Sequence, residues 1–403
     1  MAATAAMLFS GIGAASATEK NGPTSSAINL TTREEGNRPA PGPAGPTAFA
    51  AGASCTSSTD GRSASCWEVT APHKGLAPVS PQVNTSTQAV QIPQWCIDHA
   101  YQGVFGLRDQ ACEVTGLAFT TRVIESNGST RVTGEFQANV INYEYTDKSQ
   151  PTWAHQIEIA AYSGWGDALK VTLEGAASAS LSCKVVNASF PPQPVEPLKS
   201  WRIGEAFYST TATNPGDVGR CITTWNVTAH TPGYPDAVTK FERWNVRCDN
   251  NTGGNPYVGC VVFWYPSPVY YSLARNPTLA NHVARAQASG LPGATFEAPL
   301  ERTTDPAISG PNGQMACGDA PSIQGKQCDE YPLASSRQGL TAGGTRRTFD
   351  GCSFNLPQQT GPTGVSVCMI DQPDNSAQGG IMSQFYRWER VLDGDPFRVL
   401  VVA

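Results

Sequence analysis

Twelve cysteines constrain this 403-residue chain more than any other feature. Their number is even, none are spaced as CxxC, and only five histidines are present, so zinc clusters of the usual spacing are not expected. We therefore predict disulfides formed in an oxidising, extracytoplasmic setting. Neighbouring cysteines are expected to pair, for example Cys248 with Cys260 and Cys317 with Cys328, and a buried Cys183–Cys221 bridge would join two sheets. The disulfide candidates are Cys55, Cys66, Cys96, Cys112, Cys183, Cys221, Cys248, Cys260, Cys317, Cys328, Cys352 and Cys368.

The N-terminal residues predict export. Residues 1–17 are small and apolar and end in Ala15-Ser16-Ala17, a small-x-small cleavage site, so we interpret them as a signal peptide that lacks its basic start. A disordered Ala-rich tail is the alternative. Residues 18–54 are rich in Pro, Gly, Ala, Ser and Thr and are predicted to be a disordered linker. No apolar run reaches about 18 residues, so we expect no mature membrane span and a secreted, extracellular protein.

Residues 55–272 follow a β pattern. Ser126-Asn127-Gly128-Ser129 lies between two runs rich in Val, Ile, Thr and aromatic residues, which is typical of a hairpin. Apolar residues alternate with polar ones in several later runs, as at Cys221, Thr223, Trp225 and Val227. Short strands separated by Pro and Gly turns predict an antiparallel sandwich, or two subdomains that divide near residues 188–200.

The periodicity changes in residues 273–403. Asn276 and Pro277 are suited to a helix N-cap and first position, and a second apolar stripe recurs at Ile381, Phe385, Trp388 and Leu392. Residues 397–402 are nearly all apolar and predict a central strand. The expected fold is multi-domain: an N-terminal all-β, sandwich-like region followed by a small α+β domain.

Two acidic motifs lie in this last region. The first is Cys328-Asp329-Glu330-Tyr331-Pro332-Leu333-Ala334, and the second runs from Asp371 through Asp374-Asn375 to Gly379-Gly380. With the ending from Leu392 to Val399 and the helix around residues 279–283, these motifs resemble the NucA/NucB deoxyribonuclease family in collinear order. The resemblance implies a ββα-metal nuclease fold in residues 273–403, DNA as the substrate, and Mg²⁺ or Mn²⁺ as the cofactor.

Phosphodiester hydrolysis needs an activated water and charge stabilisation on the phosphoryl oxygens. No histidine follows residue 282, so we expect a carboxylate as the base, and Asp329 is the first choice, a role that the resemblance also implies. Asp374 is the predicted metal ligand, assisted by Asn375, and Glu330 is a further catalytic or ligand candidate. His282 is interpreted as structural. Asp374 or Asn375 could instead be only a helix N-cap, and Asp329-Glu330 could be plain surface charge.

Charge gives the nuclease interpretation little support. The net charge is −6, and residues 276–403 carry 9 Lys/Arg against 12 Asp/Glu, so only local phosphate contacts are expected. The candidate substrate-binding residues are Arg337, Arg346, Arg347 and Arg387.

Two other functions remain open from the sequence. One is a secreted binding protein whose tryptophan-rich β region recognises a cell-wall polymer or a protein partner, with an inactive nuclease-like domain. The other is a toxin in which the β region serves export. The favoured prediction is a secreted, metal-dependent endonuclease that cuts DNA and carries an N-terminal β accessory region.

Overall fold

The computed structural model describes residues 39–44, 53–74, 89–358 and 361–403. The predicted signal peptide, and most of the predicted linker, lie outside the described residues. Strands account for 45% of the chain and helices for 16%, so the prediction of a mostly β protein is confirmed. None of the helices in the described ranges is long and apolar enough to cross a membrane.

Two sheets form the N-terminal region within the described residues. The larger sheet contains β1 (Gly42–Pro43), β2 (Ser54–Ser57), β3 (Ser63–Thr70), β4 (Phe105–Leu107), β5 (Gln110–Ile124), β6 (Thr130–Thr146), β7 (Thr152–Gly166), β9 (Cys183–Ser189) and β11 (Arg202–Thr210). The smaller sheet contains β8 (Thr172–Leu181), β10 (Gln193–Pro194), β12 (Val218–His230), β13 (Ala237–Arg243), β14 (Val246–Asp249) and β15 (Gly259–Val262). Helix α1 (Gln94–Asp98) and a 3₁₀ turn (Asp167–Lys170) complete the region.

The two sheets share one apolar core, which makes this region a β-sandwich. Trp67 and Phe136 of the larger sheet pack with Trp225 and Phe241 of the smaller one. The sequence allowed two subdomains that divide near residues 188–200. In the structure, strands before and after that segment contribute to the same core. The predicted hairpin at residues 126–129 is confirmed, because it joins β5 to β6.

Six disulfides join neighbouring cysteines, as predicted. Cys248–Cys260 and Cys317–Cys328 form, and Cys183–Cys221 joins β9 to β12 across the sandwich. The other three pairs are Cys55–Cys66, Cys96–Cys112 and Cys352–Cys368.

The C-terminal part is a small α+β domain with two three-stranded sheets. One contains β16 (Ser267–Ser272), β17 (Leu300–Glu301) and β21 (Pro396–Val402), with β21 in the centre as the sequence predicted. The other contains β18 (Lys326–Tyr331), β19 (Arg346–Arg347) and β20 (Val365–Asp371). Helices α2 (Pro277–Ala288) and α4 (Gln372–Trp388) contribute to the apolar core that both sheets share. Helix α3 (Pro306–Cys317) and strand β20 form a second, smaller apolar cluster. A 3₁₀ turn covers Leu340–Ala342.

Two edges of the predicted domains differ in the structure. Strand β16 precedes the expected boundary at residue 273 but pairs in parallel with β21, so the C-terminal sheet begins at Ser267. Part of the expected linker is ordered, because β1 pairs with β4 and the Tyr265 hydroxyl donates to the carbonyl of Ala40.

Buried arginines join the sandwich to the C-terminal domain, and residues 39–403 form one compact unit. Arg390 is fully buried and its guanidinium donates to both carboxylate oxygens of Asp249 at 3.1 Å. In the opposite direction, Arg108 and Arg247 donate to Asp395 at 2.7 and 2.6 Å. Buried arginine–aspartate ion pairs therefore hold the sandwich and the C-terminal domain together.

Candidate active site

One face of helix α2 contacts both predicted acids. Asp374 Oδ2 accepts hydrogen bonds from the backbone N–H of Thr278 at 2.8 Å and from its hydroxyl at 2.6 Å. Asp329 Oδ2 lies 2.6 Å from Nδ1 of His282. Thr278 and His282 are four residues apart, so they share one face of the helix and are separated by about 6 Å along its axis. Asp329 and Asp374 are thus brought to neighbouring turns of the same helix.

Asn375 joins the same region through a different contact. Its side-chain amide donates to Gln327 Oε1 at 3.0 Å. Gln327 and Asp329 are two residues apart in β18, so their side chains lie on one face of the strand, about 7 Å apart along it. The first turn of α4 therefore faces the part of β18 that carries Asp329.

The carboxylate of Asp329 is almost closed to solvent, with 1% of the residue exposed. His282 contacts Oδ2, whereas Oδ1 is buried without a hydrogen-bond partner in the described part of the chain. Tyr271 lies within electrostatic range, because burial first and the Asp329 charge second raise its pKa well above the usual value. The hydroxyl of Tyr271 and the amide of Gln378 are also buried without a well-formed hydrogen bond, although the amide is near enough to lower the pKa of the phenol. Oδ1 of Asp329 thus lacks a partner among the described residues, in a region that also holds the Tyr271 hydroxyl and the Gln378 amide.

Asp374 is held in its ionised form. Burial raises its pKa, but the hydrogen bonds from the side chain and backbone of Thr278, with others at Leu279 and Asn276, outweigh burial and leave the pKa below its ordinary value. We expected Asp374 just before its own helix, but α4 begins at Gln372 and Asp374 lies in its first turn. The carboxylate satisfies N–H groups of α2 rather than of α4.

Glu330 lies on the other face of β18 from Asp329, because adjacent residues of a strand alternate. Its Oε1 accepts from the backbone N–H of Ala334 at 3.2 Å, and its Oε2 lies 3.6 Å from Sγ of Cys317. Burial, followed by the charge of Asp329, raises the pKa of Glu330 to about 7. The structure therefore places Glu330 beside α3 and not beside the first turn of α4.

The four predicted phosphate contacts are dispersed. Arg337 pairs with Asp393 and Arg346 with Asp319, each at 2.7 Å. Arg347 is only 2% exposed and donates to the backbone carbonyls of residues 361 and 363.

Arg387, the fourth of these arginines, lies at the far end of α4. It lies beside Gly254 of the sandwich and over the ring of Trp388. Twelve residues separate it from Asn375, which corresponds to about 18 Å along the helix. None of the four arginines contacts Asp329 or Asp374 through a hydrogen bond in the described residues.

The donor set suits a hard divalent cation only in part. Within residues 39–44, 53–74, 89–358 and 361–403, no group of three or more His, Cys, Asp or Glu side chains lies close enough to hold a metal ion. Magnesium, however, is often held by one or two carboxylates with water and substrate phosphate completing its shell. The uncommitted Oδ1 of Asp329 and the ionised Asp374 are compatible with such an open site.

Sequence reasoning missed the position of His282. It was assigned a structural role, and its helix was considered apart from the acidic motifs. Its ring is buried and bonds to Asp329 and to Ser366, which are 47 and 84 positions away in the chain. A histidine one turn after Thr278 on the buried face was the available signal, since residues at i and i+4 face the same neighbour.

Fold and site together define an α+β domain with two acids near the start of helix α2, joined to a β-sandwich by buried ion pairs. A comparison with protein families agrees with the resemblance: the model for Deoxyribonuclease NucA/NucB matches residues 301–400. This match is consistent with a NucA/NucB domain at the C-terminus. The matched segment contains both acidic motifs but begins after α2, so Thr278 and His282 lie outside it. No curated protein matches the chain.

Proposed function

We propose that this protein is a secreted, metal-dependent endonuclease that hydrolyses DNA phosphodiester bonds. The observation that carries the proposal is the approach of Asp329 and Asp374 to neighbouring turns of α2, in a domain that matches a deoxyribonuclease family. The six disulfides are consistent with an extracellular protein.

In this proposal, Asp329 accepts the proton from the attacking water through Oδ1, the oxygen that His282 does not contact. A buried water needs about two to four polar partners. The Tyr271 hydroxyl, which is within electrostatic range of Asp329, and the Gln378 amide next to that hydroxyl would supply two such groups. The low exposure of Asp329 keeps bulk water away from this carboxylate.

Asp374, with Asn375, would hold the metal at the first turn of α4. A divalent cation bound there, Mg²⁺ or Mn²⁺, would stabilise charge on the phosphoryl oxygens and on the leaving 3′-oxygen. Glu330 is assigned to the packing of α3, and Arg337, Arg346 and Arg387 to contacts with DNA outside the reacting phosphate. The fourth candidate, Arg347, is buried and is not assigned to DNA.

The β-sandwich acts in this proposal as a rigid support for the nuclease domain. The carbonyls of Glu389 and Arg390, just after α4, accept hydrogen bonds from Arg108 of the sandwich at 2.8 Å each. Because these contacts fix the far end of α4, the sandwich also limits how its first turn can move.

The test is cleavage of supercoiled plasmid by the full chain with Mg²⁺ or Mn²⁺, with and without a chelator. We expect nicking that the chelator stops, and a fall of about 100-fold or more in Asp329→Asn, since a positioned base contributes about that much. Asp374→Ala should abolish cutting. Asp98→Asn is the matched control, because this acid is exposed on α1 of the sandwich and accepts a hydrogen bond from Gln94.

Two results would refute the proposal at different points. An Asp329→Asn variant that cuts at the wild-type rate would remove the assigned base. A folded wild-type protein that leaves plasmid intact with every metal tested would remove the nuclease function itself.

A further inference from the structure

We infer that His282 is a positioning residue that orients Asp329 and thereby selects the carboxylate oxygen that acts. The inference rests on the proposed function, because it takes Asp329 as the base. It concerns a residue outside the family match and assigns the contact between α2 and β18 a role in turnover.

Both ring nitrogens of His282 already have partners. Nδ1 lies 2.6 Å from Asp329 Oδ2, and Nε2 lies 2.8 Å from the hydroxyl of Ser366. All three side chains are buried, with exposed fractions of 2% for His282, 1% for Asp329 and 0% for Ser366. Because both nitrogens already have protein partners, whereas Oδ1 of Asp329 has none among the described residues, the carboxylate and not the ring is the group left to take a proton from water.

The carboxylate partner fixes the hydrogen on one ring nitrogen. A carboxylate oxygen only accepts, so Nδ1 carries the hydrogen and donates it to Asp329. The Ser366 hydroxyl can either donate to Nε2 or accept from it, so it is a partner for Nε2 in either case. Ser366 lies in β20 opposite Tyr331 of β18, so the two strands that form the site also hold the histidine.

Asp329 is consequently held by one oxygen. With Oδ2 engaged by His282, rotation of the carboxylate is restricted and Oδ1 remains free of partners in the described residues. The proposed mechanism uses this oxygen, in the region that also holds the side chains of Tyr271 and Gln378. An angular error at a catalytic base is costly, because a misplacement of about 1 Å can reduce the rate about 100-fold.

Phe349 closes the opposite side of the imidazole. Its ring meets His282 edge to face, with centroids 6.4 Å apart and an interplanar angle of 64°. Arg285 lies over the outer part of the same phenyl ring, at 4.8 Å from its centroid. The histidine is therefore fixed by packing as well as by hydrogen bonds, as a positioning residue requires.

Kinetics of His282→Ala and His282→Asn test the inference. The asparagine amide can donate in place of Nδ1, whereas alanine cannot. We expect His282→Ala to lower kcat about 100-fold with KM unchanged, and His282→Asn to recover to within about 10-fold of wild type. Val283→Ala is the control: it removes buried volume from the same helix but keeps the hydrogen bond between His282 and Asp329, so it measures what lost packing alone does, and its kcat should fall much less than that of His282→Ala.

A spectroscopic measurement makes the test independent of activity. In the wild-type protein without metal or DNA, ¹H–¹⁵N spectra should show an imidazole N–H resonance from Nδ1. It should be absent in His282→Ala and shifted in Asp329→Asn. If the protein cuts no DNA, the nuclease proposal fails, while this resonance still reports whether the histidine holds the acid.

Three outcomes would overturn the inference. The first is a His282→Ala protein whose kcat equals that of Val283→Ala. The second is a folded His282→Asn protein as inactive as Asp329→Asn, which would make the imidazole itself the reacting group. The third is a wild-type spectrum without the Nδ1 resonance. If His282→Ala does not fold, the asparagine variant and the spectrum decide.

Discussion

Replacement of Arg390 by methionine tests whether the sandwich and the C-terminal domain unfold as one unit. Arg390 is fully buried and follows α4, where its guanidinium donates to Asp249 and to the carbonyls of Lys148 and Tyr257 at 2.8 and 3.0 Å. Methionine keeps much of the side-chain volume but removes the charge. Asp249 would then be a buried carboxylate without its closest cationic partner, since Arg247 is 3.6 Å away.

The expected loss is large for one side chain. Removing one partner from a buried ion pair costs about 3–5 kcal/mol, because the other charge remains out of water. The total free energy of unfolding of a domain is about 5–15 kcal/mol, so the variant should lose about a fifth of it or more. Arg337→Ala is the control, because Arg337 and Asp393 are both exposed and such pairs contribute about 0–1 kcal/mol.

The assay is urea unfolding followed by tryptophan fluorescence, with hydrogen exchange to report each half separately. Arg390→Met should weaken protection in both the sandwich and the C-terminal domain. Adding Asp249→Asn should restore part of the loss, because it removes the unpaired charge. A variant within about 1 kcal/mol of wild type, or one that loosens the C-terminal domain alone, would refute the claim that this network couples the two halves.

Two further predictions concern stability and activity. The pKa of Glu330 is raised to about 7, so its contribution to stability is present below its usual pKa of 4.5 and is lost as the pH rises to about 7. In urea unfolding, the free energy of unfolding of the wild-type protein should therefore be lower at pH 8 than at pH 5, by at most about 3 kcal/mol. Glu330→Gln should remove this difference, and a variant with the same pH dependence as wild type would contradict the assignment to Glu330. Serine replacement of both Cys317 and Cys328 should cost about 3 kcal/mol, as should replacement of Cys55 and Cys66, because both bridges span 11 residues. Only the first pair adjoins Asp329, so plasmid cutting should fall in that variant alone, and equal activity in both would contradict a role for the Cys317–Cys328 bridge in holding the acid.

Local signals in the sequence predicted the elements that depend on neighbouring residues. The hairpin at residues 126–129, the start of α2 at Asn276–Pro277 and the apolar strand β21 follow from turn chemistry, capping and burial. The disulfides were predictable because the bridges are short and join neighbours in the chain. Both acidic motifs were recognised from residue types that lie within a few positions of one another.

Other elements depend on partners that no local pattern shows. Helix α3 contains Pro311 with Gly310 and Gly313, residues of low helix propensity, and it forms where Asp305 caps its start and Cys317 ties its end to β18. Residues 39–44 look like linker but pair with β4.

The geometry of the site could not be predicted from local patterns either. The acidic motifs identified Asp329 and Asp374, but nothing in the sequence indicated that both would contact α2. That contact depends on how α2 packs across β18 and β20, which is decided by the core around Leu279, Val283 and Phe385. Adjacent side chains of a strand point to opposite faces, so Asp329 and Glu330 of β18 cannot both face the same site. This could have been predicted from the sequence alone.

A crystal of the full chain soaked in Mn²⁺ and measured for anomalous scattering is the most direct test of the central claim. We expect one strong peak at the first turn of α4, in contact with the Asp374 carboxylate and on the side that faces Asp329. The peak should be lost in Asp374→Ala crystals. A peak bound elsewhere on the chain, or none in an enzyme that cuts DNA with Mn²⁺, would contradict the assignment of this helix start as the metal site.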